Sequence, residues 1–537
     1  MLIVFTTAIP KHRCLVNGCD QSGVNNGFEA PYINFTIPID EKTNQFSKCQ
    51  QYEGHQSSLS INCSIDQFNQ QMVVECDHSE TVFDHKYFES TLVTEFNLVC
   101  DNSWMIQLVQ SAFFSGVLLG AILSGIIADK FGRRAMYFFI PELLLISLIS
   151  STFVPNMFVY GVLAVLKGIC VSGVYQPAFV IGIELLGGRW RFWLGNVHSI
   201  IFAFGSFIIC LIAQYYRNWR PLEYSLTIPA IIMIIFPYLF PESIRWQVSN
   251  GRSECAVKQL RGAYETNGVK IDEELFQQIL NHENEKNLRK RIQTQQKPTA
   301  NVWDLFRHST LRIWTLSLLY IWFTNSLVYY GLSFLSSQFD DDVYYSLKMM
   351  CIVELPGIVL TTYAVEKMSR KRVLMSVMLI GGIACTISSL LPETYGGLKL
   401  ALAIFGKMNI SGSFSLIFVY TVEIFPTVLR ISGLGLCSVF ARIGGMVAPY
   451  VLQLEMFGPK FPFLAIGITS LIAGVVSVVL PETKDKKLPD TIEEVSLLIA
   501  PTKNNNNNNK TADYSSTSVT RTNEMLLTGR TSNSDSP

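Results

Sequence analysis

The chain is predicted to be an all-α polytopic membrane protein of two six-helix halves, with its first helix truncated, and three observations predict it. Hydrophobic residues make up 49% of the 537 positions and charged residues only 16%, against roughly 25% charged in soluble domains. The apolar residues gather into segments of about 20, the length a helix needs to cross a bilayer. Short sequence signatures also recur at nearly one spacing along the chain. The formal net charge is zero, so composition points to neither a nucleic-acid partner nor an acidic one.

Hydropathy places full spans near residues 104–128, 135–155, 157–184, 192–216 and 222–240, then near 311–335, 344–365, 373–391, 398–423, 431–454 and 461–480. The count is odd, and orientation accounts for it. Lys130, Arg133 and Arg134 fill the short turn after the first full span, which the positive-inside rule places in the cytoplasm. Residues 11–103 then lie outside, so a further span must precede them. Only residues 1–10 remain for it. Their apolar run Leu2–Ile9 makes about 12 Å of helix against a hydrocarbon core of about 30 Å, so a remnant of a truncated first span is expected. A signal peptide is the rival, but no basic region precedes the run.

The outer stretch 11–103 holds Cys14, Cys19, Cys49, Cys63, Cys76 and Cys100. So many cysteines in one polar segment imply a disulfide framework in an oxidising compartment, with every pairing left open. The sequons at Asn34 and Asn62 make these residues glycosylation candidates on the same side. Residues 104–240 complete the first membrane half and 311–480 form the second. Between them, 241–310 mixes the basic run Arg289-Lys290-Arg291 with the acidic run Asp272-Glu273-Glu274 and reads as a cytoplasmic linker. Residues 481–537, with an asparagine run at 504–509, read as a disordered cytoplasmic tail.

The repeat is visible in three pairs. Asp129 is answered by Glu366, 237 positions on; Glu184 with Arg189 is answered by Glu423 with Arg430, 239 on from the first glutamate; Pro241-Glu242-Ser243 is answered by Pro481-Glu482-Thr483, 240 on. Three pairs at nearly one period argue for two parallel halves around a central site.

In Gly125-Ile126-Ile127-Ala128-Asp129-Lys130-Phe131-Gly132-Arg133-Arg134 the glycines permit a tight turn and a close helix approach. The segment resembles the signature loop of the major facilitator superfamily. There Asp129 would cap a helix N-terminus or pair with an arginine of another helix, and such pairs would lock the cytoplasmic face until the halves rock. The gating candidates are Asp129, Arg133, Arg134, Glu184, Arg189, Glu242, Arg245, Glu423 and Arg430. The second-half copy Glu366–Arg372 lacks the glycine.

A narrower resemblance follows. Pro10-Lys11-His12-Arg13-Cys14 and Ser90–Cys100 are similar to the start and the end of the large extracellular loop in the organic cation, anion and carnitine transporters. Asn218-Trp219-Arg220, Pro241–Trp246, Tyr329–Leu332, Val422–Arg430 and Leu488–Glu494 follow in family order, so the likeness spans about residues 9–496. Sugar porters share the Pro-Glu-Ser and Gly-Arg-Arg elements but lack this loop. The resemblance implies small organic ions moved across the plasma membrane by alternating access, as uniport, exchange or ion-coupled uptake.

Charged residues deep in a span are costly and usually functional. Glu354 and Arg442 each lie about 16 Å along the helix from the inner ends of their spans, near the midplane, where transporters place substrate. Family resemblance implies an acidic residue at the Arg442 position in cation members and a basic one in anion and carnitine members. Anion members often carry a lysine just past the proline after Glu354, where this chain has Ile358. One acid and one base facing a cavity suit a zwitterion such as carnitine, with Arg442 on the carboxylate; the alternative is a structural bridge between the two. Trp322, Phe323, Tyr329 and Tyr330 are candidates for cation–π contacts with a quaternary ammonium, or for helix packing. Tyr175 and Gln176 in the fourth span complete the substrate-site candidates, and Lys167 in that span has no assigned role. Glu142 in the third span is expected to be satisfied by a neighbouring helix, with proton coupling the rival reading.

No P-loop, His-Glu-x-x-His pair or dinucleotide fingerprint occurs, so the expectation is a transporter and not an enzyme, with no catalytic residues, metal or cofactor beyond coupling to sodium or protons. Its partners would be a small organic ion and the lipid bilayer, with oligomeric state left open. The competing functions are organic anion transport on the same fold and a non-transporting relative.

Overall fold

In a bilayer a backbone must satisfy its own hydrogen bonds, and an apolar segment of sufficient length therefore becomes a helix. The computed structural model describes residues 2–16, 19, 20, 28, 30–40, 45–54, 65, 68–76, 81–185, 188–268, 302–338, 342–426, 429–484 and 486. We label its principal helices α1 (Leu2–Thr6), α2 (Trp104–Phe131), α3 (Arg133–Ser151), α4 (Met157–Leu185), α5 (Gly188–Tyr215) and α6 (Trp219–Leu239, interrupted at Leu226). The second half contains α7 (Ser309–Phe334), α8 (Val343–Lys367, interrupted at Val353), α9 (Arg370–Leu390), α10 (Gly396–Ile424), α11 (Arg430–Val451) and α12 (Phe461–Val476).

Ten of these, all but α1 and α7, are long and apolar enough to cross a membrane. This is a multi-pass membrane protein. Helix α7 is as long, at 26 residues, but carries Thr315, Ser317, Thr324, Asn325, Ser326 and Ser333 in its buried surface. It is the most enclosed element of the second half.

Small residues bring helices of each half together, as expected where lipid offers no hydrophobic drive for association. A Cβ on Gly116 of α2 would lie 2.1 Å from the Val165 carbonyl oxygen of α4. The same device recurs one repeat later, where a Cβ on Gly357 of α8 would lie 2.3 Å from the Met408 carbonyl oxygen of α10.

The two halves meet firmly on their outer side. Val4 and Phe5 of α1, Phe114 of α2 and Cys210 and Ala213 of α5 share one buried cluster with Phe334 of α7, Tyr344, Leu347 and Cys351 of α8 and Ala448 of α11. Ser111 donates to the Met446 carbonyl at 2.7 Å, and Lys348 donates to Gln214 at 2.9 Å. On the opposite side, that of the Lys130–Arg134 turn, no buried apolar cluster joins the halves among the described residues. There Asn196 of α5, itself buried, accepts from Thr362 of α8 at 3.3 Å and Ser415 of α10 at 3.1 Å. The outer side is shut and the inner side is held by these polar contacts.

The outer loop folds as three antiparallel strand pairs: β1 (His12–Cys14) with β6 (Thr81–Phe83), β2 (Ile39–Asp40) with β3 (Gln45–Phe46), and β4 (Gln50–Gly54) with β5 (Phe68–Glu75). Disulfides join Cys14 to Cys76 and Cys49 to Cys100. Cys19 is also disulfide-bonded; Cys63 and Asn62 lie outside the described residues. Asn34 is exposed on the short helix Ile33–Thr36. Arg13 grips Asp20 with two hydrogen bonds of 2.8 Å. The loop is tied to α6 through Glu95, which pairs with Arg220 and accepts from the Trp219 indole at 2.8 Å. Partial burial works against the Glu95 charge, but the bonds from Arg220 and Trp219 hold this carboxyl below its usual range.

At the turn between α2 and α3, Asp129 takes the second of its two expected roles, a pair with an arginine of another helix. Asp129 pairs with Arg133 four residues on, at 3.1 Å, and is largely exposed. The cap of α3 is Glu242, whose carboxylate accepts from the Arg133 and Arg134 backbone amides at 3.0 and 3.1 Å. A carboxylate at a helix N-terminus satisfies free amides and meets the positive end of the dipole. Glu482 does the same for α9, accepting from the Arg370 amide at 3.2 Å. Glu242 was expected to close a gate; in this structure its contacts to the Arg133 and Arg134 amides lie within its own half. Arg134 donates to the Pro237 carbonyl at 2.6 Å, and Glu423 is held by Arg370 at 2.6 Å and Thr483 at 2.5 Å. Arg430 reaches the Phe425 carbonyl at 3.4 Å rather than Glu423. The side chains of Glu184, Arg189 and Arg245 lie outside what is described.

Gly132 has φ +106°, and a Cβ there would lie 2.2 Å from Glu242 Oε2. Gly132→Ala should therefore lose both the turn and the cap, costing about 2 kcal/mol; a lower thermal midpoint of the purified protein checks this. The outer loop should also be acid-sensitive. Burial pushes His12 down to about 4, opposed by its bond to the Pro10 carbonyl and aided by Lys48. The neutral imidazole is favoured in the fold, so its contribution is present above pH ~6.5 and lost as pH falls toward 4, about 3 kcal/mol in all. The thermal midpoint should drop between pH 7 and pH 5, and drop less in His12→Phe.

Candidate functional site

Helices α7, α8 and α10 converge on Glu354, which is 2% exposed. Tyr329 of α7 donates to its carboxylate at 2.8 Å. The Lys407 ammonium of α10 lies 3.6 Å from the same oxygen. Lys407 also donates to the Tyr329 carbonyl at 2.8 Å and to Ser333 at 2.7 Å, and sits 3.1 Å from the Tyr329 ring centroid. A lone charge at this depth would cost many kcal/mol, and the paired cluster is the arrangement that tolerates it.

Lys407 was not singled out from sequence, though a signal existed. It stands 240 positions after Lys167, the period of the repeat. Lys167 is also paired within its own half, though with a helix that is not the repeat counterpart of α8. Its ammonium lies 2.8 Å from Glu223 of α6, whose carboxylate also accepts from Tyr160 and Ser151. Each half thus neutralises its own midplane lysine.

Arg442 differs. It is half-buried on α11, its Nε has no hydrogen-bond partner, and it forms no ion pair among the described residues. Its electrostatic neighbours are Tyr175 of α4 and Tyr330 of α7, one from each half. Tyr330 packs edge-on to Phe114 of α2 at 4.5 Å between centroids. Tyr175, 39% exposed, lies 4.5 Å from the His198 ring of α5, which also meets Phe179 at 5.3 Å. His198 Nε2 is a second buried nitrogen without a partner. A cation with no ion pair among the described residues therefore lies beside aromatic side chains of both halves.

Of the acid and base expected to face one cavity, Glu354 is held by Tyr329 and Lys407, whereas Arg442 forms no ion pair among the described residues; both are electrostatic neighbours of Tyr330. Other candidates lie in helix packing. Trp322 is fully buried, donates to Thr421 at 3.0 Å and meets Phe418 at 4.4 Å. Tyr329 belongs to the Glu354 cluster, and Phe323 is half-buried with its carbonyl against Gly444. Gln176 accepts from Ser124 at 2.8 Å, tying α4 to α2. Glu142 was expected to meet a neighbouring helix; it is exposed on the face of α3 that carries Phe139 and Ile146. His12, Cys49 and Cys100 also cluster, but both sulfurs are spent in their disulfide and provide no thiolate for a metal.

A family model described as sugar (and other) transporter matches residues 22–495. An organic cation transporter protein of Drosophila melanogaster is 32% identical over 495 residues, covering 91% of this chain and 87% of that one. Solute carrier family 22 member 6-A of Xenopus laevis is 33% identical over 500 residues, covering 93% and 88%. Organic cation/carnitine transporter 2 of Homo sapiens is 30% identical over 499 residues, covering 92% and 87%. Among solved structures, a partially occluded inward-open form of the xylose transporter XylE from E. coli is similar with a TM-score of 0.59 at 18% identity, over 74% of this chain and 94% of that one. That likeness is one of fold.

Lys407→Met should strand the Glu354 charge and cost about 3–5 kcal/mol, read as a large fall in thermal midpoint. Adding Glu354→Gln should recover most of it. A double variant no more stable than the single one would contradict the pairing.

Proposed function

This chain belongs to the organic cation, anion and carnitine transporter family of the major facilitator superfamily, and we propose that it moves small zwitterionic or cationic organic ions across the plasma membrane by alternating access. The observation that carries the substrate class is Arg442. Among the described residues no acidic group pairs with it, while Glu354 is neutralised within its own half. An open guanidinium fork is suited to a carboxylate, which it can hold with two charge-assisted hydrogen bonds. Tyr330, Tyr175 and Phe179 supply aromatic faces for the onium end of a zwitterion. The organic cation/carnitine transporter named among the relatives fits this chemistry. The shut outer seam and the lightly held inner side support a cycle in which the halves rock about this site.

In this reading the linker and tail are cytoplasmic and the disulfide-bonded loop faces outward. Coupling to sodium or protons remains part of the proposal. Uptake of labelled carnitine, measured beside labelled tetraethylammonium in expressing cells, tests it. Carnitine should accumulate, and Arg442→Ala should lower its uptake about tenfold or more, the loss expected for a charge-assisted bond. Tetraethylammonium uptake alone, unchanged by Arg442→Ala, would make the protein a cation carrier with a structural arginine. Saturable uptake of an aromatic acid without carnitine would make it an anion carrier.

A further inference from the structure

We propose that Cys210 and Cys351 are a modification site: a reversible disulfide between the halves that locks the protein with its outer side shut. The inference rests on the alternating-access reading for its consequence, but not for its chemistry. Cys210 lies on α5 of the first half and Cys351 on α8 of the second, and their sulfurs are 3.8 Å apart. Both are free thiols, separate from the disulfides of the outer loop. Among the described residues no other two free thiols are in contact. Both are buried in the outer seam beside Ala213, Phe334, Tyr344 and Leu347. A disulfide bond is about 2.05 Å long, so the sulfurs must close by about 1.8 Å, a movement within side-chain rotation and a small helix shift.

The chemistry needs an oxidant small enough to enter a closed seam, which selects hydrogen peroxide over a bulky disulfide. One thiol takes an oxygen from peroxide, giving a sulfenic acid and water. The second thiol attacks that sulfur, forming the S–S bond and releasing a second water, so two electrons pass from the thiols to peroxide. The product ties α5 to α8. Opening the outer side requires these helices to part, and the bond forbids it until a dithiol reduces it.

The test uses the full chain in membranes, with a protease site inserted in the linker within residues 269–301. The outer-loop disulfides lie within the first fragment and cannot hold the two fragments together. After hydrogen peroxide and cleavage, a non-reducing gel should show one full-length band that splits on dithiothreitol. Cys210→Ser and Cys351→Ser should each give two bands throughout. Carnitine uptake by the uncut protein should fall with peroxide, recover with dithiothreitol, and be insensitive in both serine variants. Fragments that separate after peroxide, or that stay joined in the serine variants, overturn the disulfide. A cross-link that leaves existing uptake unchanged overturns the lock. A cross-link in a protein that never took up substrate supports the disulfide and overturns the transport reading instead.

Discussion

A charge at the middle of a bilayer is costly unless it is paired or faces a water-filled cavity, and in the second half of this protein Lys407 answers Glu354. The pair fixes three helices at once, because Lys407 on α10 also binds the carbonyl of Tyr329 and the hydroxyl of Ser333 on α7 while Glu354 begins the inner part of α8. Its effect on function is indirect but decisive. By cancelling the one buried carboxylate among the described residues of that half, it leaves Arg442 without an ion pair among them. In the proposed function this open charge is what a substrate carboxylate would answer.

The repeat explains why the halves behave as bodies. Lys167 and Lys407 stand 240 positions apart, as do Glu242 and Glu482, the two carboxylates that cap α3 and α9; the acids the lysines meet, Glu223 and Glu354, are not repeat partners. Each half is therefore stitched internally at its midplane and at its cytoplasmic edge. What joins the halves is different in kind: an apolar seam outside and the bonds of Asn196 inside. Buried ion pairs resist breaking, whereas an apolar seam can part and close again, so motion is directed to the boundary.

Most of the fold was legible in one dimension. Span length, the positive turn at Lys130–Arg134 and the cysteine-rich outer stretch are local properties, and each full span expected from hydropathy is a helix. The site was legible only in part. Arg442 could be picked out because a charge at that depth stands out in an apolar span, and Tyr330 because it belongs to the Tyr329–Leu332 motif. Lys407 was passed over because its meaning depends on Glu354, which is 53 positions away in the chain and is brought close by helix packing. The cap exchange had the same origin: Asp129 has the spacing of a cap, but the folded turn at Gly132 presents the amides of α3 to Glu242. Trp322 has the chemistry of a cation–π wall, and only its burial against Phe418 and Thr421 assigns it to the core.

The most direct test of an open Arg442 waiting for a carboxylate is to change the substrate and leave the protein alone. Uptake of carnitine and of its methyl ester should be compared in the unmodified transporter, at one ionic strength. The expected result is an apparent affinity for the ester weaker by about tenfold or more, since a neutral ester forfeits the charge-assisted bonds to the guanidinium. Equal affinity for the two would contradict it, and would mean that Arg442 meets no carboxylate during transport.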